Sequence, residues 1–86
     1  MPEISRFYGI VIRMFFAEHE PPHFHAKYDE YNAQISIETG KILNGSLPVR
    51  AEKLVYNWVE DHREELFENW SLCKSNKQPK KIEPLR

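Results

Sequence analysis

The chain has 86 residues, 41% of them hydrophobic and 13% aromatic, with a formal net charge of −1. That composition excludes a disordered polymer, and no apolar run approaches the ~18 residues of a membrane span. The length allows one domain whose small core buries about 60–65% of the unfolded surface.

Ile4 to Phe16 reads as the best strand. Tyr8, Ile10, Ile12, Met14 and Phe16 alternate on one face, with Phe7, Gly9, Val11, Arg13 and Phe15 on the other, and Gly9 marks a bulge or a close backbone approach. A proline loop follows, Glu20-Pro21-Pro22, which is stiff and extended because proline fixes its own φ and restricts the residue before it. His23 to Tyr28 then alternates with period two. His23, His25 and Lys27 share one face of this strand, and Phe24, Ala26 and Tyr28 the other. Asp29-Glu30 is a turn into Tyr31–Glu38, where Tyr31, Ala33, Ile35 and Ile37 face inward. Thr39-Gly40 turns into a short fourth strand, Lys41–Asn44.

From Leu47 the period becomes helical. Ser46 reads as N-cap with Pro48 in the first turn, and Ala51, Leu54, Val55, Trp58 and Val59 form an apolar stripe. Asp61-His62-Arg63-Glu64 resembles a capping box and predicts a second helix starting near His62, with Leu66, Phe67, Trp70 and Cys73 buried; an unbroken helix is the alternative. The expected fold is therefore α+β: a small antiparallel meander of three to four strands followed by two C-terminal helices, with residues 1–74 as the domain and 75–86 as a basic, solvated tail. The tail region carries Lys74, Lys77, Lys80, Lys81 and Arg86 against Glu83 alone, so the body is acidic. Because the first strand is apolar on both faces and helices cover only one, Phe7, Val11 and Phe15, flanked by Arg13, are expected under a second chain or under the tail from Pro79 to Leu85.

One cysteine, Cys73, excludes an internal disulfide and any cysteine-based zinc knuckle. The Met-Pro-Glu-Ile-Ser start lacks the basic region and cleavage site of a signal peptide, so a reduced, cytoplasmic setting is expected. Cys73 itself reads as a small buried hydrophobe, and Trp58 and Trp70 as core residues.

Chemistry concentrates in His19-Glu20-Pro21-Pro22-His23-Phe24-His25, which holds three of the four histidines. This block, together with Ile4-Ser5-Arg6-Phe7-Tyr8-Gly9-Ile10, Leu47-Pro48, Trp58, His62-Arg63-Glu64-Glu65-Leu66 and Asn69-Trp70, resembles a family of small prokaryotic proteins catalogued as domain of unknown function 4160. The resemblance runs over essentially the full chain. It implies a member of a two-gene, toxin–antitoxin-like module, with a small protein from a neighbouring gene as partner.

Three readings of the histidines stand side by side. On the first, His19, His23 and His25 hold Zn²⁺ or another divalent transition metal with an open position for an activated water, and Glu20 or Glu38 is an extra ligand or base. On the second, no cofactor is needed: His23 and His25 are the acid–base pair of an RNA-directed reaction, Lys27 and Arg13 or Arg6 clamp phosphate, and Tyr8 or Tyr28 stack on bases. On the third, the histidines only brace the proline turn by hydrogen bonds. His62 is expected to cap or pack. The sequence reading favours a small partner-binding protein, RNA-directed if it is the toxin, with a homodimer as another form of association; a metal-dependent hydrolase is the alternative.

Overall fold

The computed structural model describes residues 2–86. Among them five strands and one helix form: β1 (Glu3–Phe7), β2 (Ile10–Arg13), β3 (His23–Tyr28), β4 (Tyr31–Ser36), β5 (Ile42–Gly45) and α1 (Val49–Lys74). The strands make one antiparallel meander in the order β1-β2-β3-β4-β5. The α+β class is as expected, with one strand more and one helix fewer.

The extra strand arises because Ile4 to Phe16 is a hairpin, not one strand. Tyr8 and Gly9 both take positive φ, 50° and 80°, the combination a tight two-residue hairpin turn requires, and Phe7 pairs with Ile10. Gly9 is therefore a turn residue rather than a bulge; the irregularity in this hairpin falls between Glu3 and Ser5. The fold-back also corrects the facing of Phe7. It lies on the same side as Ile10, Ile12 and Met14, is buried, and packs 5.3 Å from the Trp58 ring, so no second chain is needed to cover it. Val11 and Phe15 stay half-buried on the opposite face.

The helix side of the sheet collects Phe24, Ala26, Ala33, Ile35 and Ile37 against Ala51, Val55, Trp58, Val59 and Leu66, one continuous apolar core. The helix is capped by Pro48, without a side-chain cap bond, so Ser46 does not serve. It runs as one span through the expected break, with a kink at His62 (φ −131°, ψ 23°). Instead of a capping box at Asp61 and Glu64, His62 Nδ1 pairs with Glu65 Oε1 at 2.6 Å, and the ring packs on Trp58. Phe67, expected inside, is exposed.

The last turn closes without glycine. Asn76 takes φ 59°, its N–H donates to Cys73 O, and Lys77 N–H donates to Leu72 O, the paired bonds of a Schellman cap. The chain beyond packs back at discrete points: Pro79 and Ile82 are buried, while Lys77, Lys80, Lys81 and Arg86 stay exposed. Asn69 is buried and its side chain bonds both the N–H and the C=O of Lys80; Ile82 N–H donates to Ile4 O, and Trp58 Nε1–H to Glu83 O. The tail thus lies along β1 and joins the core through Ile82.

The other face of the sheet carries no helix among the described residues. Cross-strand register sets two rows there: Arg13–His25–Gln34–Asn44, and Arg6–Val11–Lys27–Asn32. Each of these side chains is half-buried or exposed. A sheet face can stay in water when its residues are polar, as all in these two rows but Val11 are.

Candidate functional site: a carboxylate–imidazole cluster at the end of the open face

The segment between β2 and β3 turns at Ala17 (φ 56°) and returns through a cis Glu20–Pro21 bond and Pro22, whose carbonyl accepts from Ile37 N–H. This return places Glu18 over the start of β3. Glu18 Oε1 accepts a hydrogen bond from His25 Nε2 and lies 3.3 Å from His23 Nε2. His23 Nδ1 lies 2.9 Å from Pro21 O. The rings are held by aromatic neighbours: His23 sits 5.3 Å from Trp70 and from His25, and Phe15 meets the His25 ring edge-on at 4.5 Å.

Burial by itself raises the Glu18 carboxyl, but the hydrogen bond from His25, the charges of His25 and His23 and the His23 contact outweigh it and hold Glu18 below its usual value. The group is therefore a carboxylate at neutral pH. A cleft of about 360 Å³ opens beside the cluster, lined by Glu18, His19, His23, Gln34, Leu43 and Asn44 among others.

Of the residues singled out from sequence, His23 and His25 come together, and Arg13 stands opposite His25 in the β2–β3 register. His19 is exposed and lines the cleft outside the ligand-like trio, whose third member is Glu18. Lys27 shares the face but reaches away, donating from Nζ to Asp29 O at the hairpin tip. Glu20 is tied to Trp70 Nε1 (3.4 Å) and Lys74 (3.7 Å), and Glu38 is exposed; neither joins the histidines. Glu18 was missed because no periodicity links a loop carboxylate to a strand face. The only cue was a stiff proline connector that had to bring the preceding residues back over His23.

Fold and site together define a small sheet-and-helix protein with one polar open face and a carboxylate with two imidazoles at its end. The family model described as a domain of unknown function (DUF4160) matches residues 9–71, well over half of the chain, and the chain belongs to that family. No curated protein and no solved structure matches it. No helix among the described residues is long and apolar enough to cross a membrane.

Proposed function

We propose that this protein acts on RNA at the Glu18–His23–His25 centre, as one half of a toxin–antitoxin-type pair whose partner is a small protein from a neighbouring gene. The observation carrying this reading is the row Arg13–His25–Gln34–Asn44, which joins the cluster to an uncovered polar face. A guanidinium beside an imidazole suits a phosphodiester: the cation meets the phosphate, and the imidazole moves a proton at the reacting oxygen. Side-chain amides and the exposed Lys27 and Asn32 extend the surface for sugar and phosphate contacts. His25 is the group a ligand reaches, since its side chain is 29% exposed against 7% for His23. The two-protein part of the proposal rests on the sequence resemblance alone.

The test is expression of the chain by itself, followed by incubation of the purified protein with a synthetic single-stranded RNA. The expected outcome is growth arrest and RNA cleavage, with His25→Ala and Glu18→Gln losing roughly 10²–10⁴ of the rate, the range for general acid–base groups. Arg13→Ala should weaken RNA retention while leaving the melting temperature in place. Unimpaired growth together with intact RNA would overturn the proposal.

A further inference from the structure

His23 fixes its own tautomer. Its Nδ1 lies 2.9 Å from Pro21 O, and a carbonyl oxygen can only accept, so Nδ1 carries the hydrogen. In the neutral ring Nε2 is then a bare lone pair. That nitrogen faces Glu18 Oε1 at 3.3 Å, and an ionised carboxylate also offers only lone pairs. Two acceptors held face to face repel unless positive charge lies between them. His25 directs Nε2 at the same oxygen, so a second imidazole converges on that point.

We propose that Glu18, His23 and His25 bind a divalent transition-metal ion, with zinc as the first candidate. The one ligand atom from each side chain lies within 4.8 Å of the other two. Tetrahedral ligands about 2.0–2.2 Å from zinc stand about 3.4 Å apart, close to the 3.3 Å between His23 Nε2 and Glu18 Oε1, whereas His25 Nε2 and the same oxygen stand closer and must separate as the ion replaces the proton between them. A metal-bound imidazole normally donates its other N–H to a carbonyl or carboxylate, which is the role Pro21 O fills for His23. Aromatic contacts from Trp70 and Phe15 hold the two rings in place, so little ordering remains to be done on binding. Two histidines and a glutamate leave a coordination position open, the pattern of hydrolytic rather than structural zinc sites, and the adjoining cleft admits a water or a phosphate oxygen to it. The inference rests on the centre of the proposed function but changes the part His25 plays there, since an Nε2 bound to metal moves no proton and a metal-activated water would take that role; it depends on the three side chains and not on RNA as the substrate.

The rival arrangement is a second proton on His23, and metal titration separates the two. Untagged, chelator-treated protein is titrated with Zn²⁺ by calorimetry and with Co²⁺ by visible absorption. One equivalent should bind, four-coordinate Co²⁺ should give intense visible bands, and the melting temperature should rise with metal. His25→Ala and Glu18→Gln should each weaken binding more than tenfold, and His19→Ala should leave it unchanged. Glu18→Gln alters a partly exposed side chain without changing its size, so it keeps the test open if His25→Ala fails to fold. Absence of saturable binding by the wild type, or binding indifferent to Glu18→Gln, overturns the inference. A protein that binds one ion yet leaves RNA intact upholds it and overturns the RNA reading instead.

Discussion

A thiol at 1% exposure is a poor nucleophile for two reasons, and both apply to Cys73: reagents cannot reach it, and burial pushes its pKa up, away from the reactive thiolate. The expected outcome is negligible reaction of the native protein with a thiol-specific dye, and one equivalent consumed after unfolding in denaturant. Rapid labelling of the native state would mean that the last turns of α1 open readily. Cys73 was legible from its place on an apolar stripe, as were Trp58 and Trp70. His23 and His25 were legible too, because strand periodicity fixes which side chains share a face. Lys27 shows the limit of that rule: a shared face sets where a side chain starts, and its four-carbon stem then reaches Asp29 O instead of the imidazoles. In the loop before β3 it is Glu18 that joins His23 and His25, while its neighbour His19 is exposed, and no periodicity in a loop shows which of two adjacent side chains turns inward.

At the level of elements, the main discrepancy is the first hairpin. Tyr8-Gly9 is an unusual two-residue turn because a bulky residue takes positive φ, so the sequence reads as continuous apolar alternation. The helix break at His62 was visible in sequence, yet it appears as a kink, since no proline or glycine stops the following turn. The packed tail is not legible from its charge: Lys80 and Lys81 are exposed, and the attachment is made by backbone groups and by Pro79 and Ile82 on either side of them. Asn69 holds that attachment with two 2.8 Å bonds. Asn69→Ala leaves a cavity and strips both Lys80 backbone groups of their partner, an expected cost of about 2–4 kcal/mol. Thermal melting should register it as a drop of roughly 10 °C or more for a domain of this size. A shift of only a degree or two would show that the tail contributes little.

For the whole molecule the deciding fact is that the helix and the tail serve one face and one edge of the sheet, and no other element among the described residues covers the opposite face. Val11 is an apolar residue of the central rows there, standing in register between Arg6 and Lys27. Val11→Glu places a carboxylate next to two cations at a half-buried position, so the folded chain should tolerate it, with a stability change of about 1 kcal/mol or less. The same charge should repel phosphate. Anisotropy of a labelled RNA should show binding weakened several-fold at low salt, with the loss shrinking as salt rises. Equal affinity for wild type and variant would move the nucleic-acid surface elsewhere. Fold class was readable from composition and periodicity because these depend on local alternation. The identity of the open face depends on where the chain reverses, which a turn with tyrosine at its first positive-φ position conceals.

Trp70 gives the protein a built-in optical gauge. Its ring lies 5.3 Å from the His23 imidazole and its Nε1 faces Glu20, whereas Trp58 is sealed among Phe7, Phe24 and His62. The two indoles therefore sample different surroundings. An ion arriving at His23 changes the polarity and quenching felt by Trp70, while Trp58 lies against His62 and away from the centre. Occupancy of the centre can be followed by emission from the unlabelled chain, at concentrations too low for calorimetry.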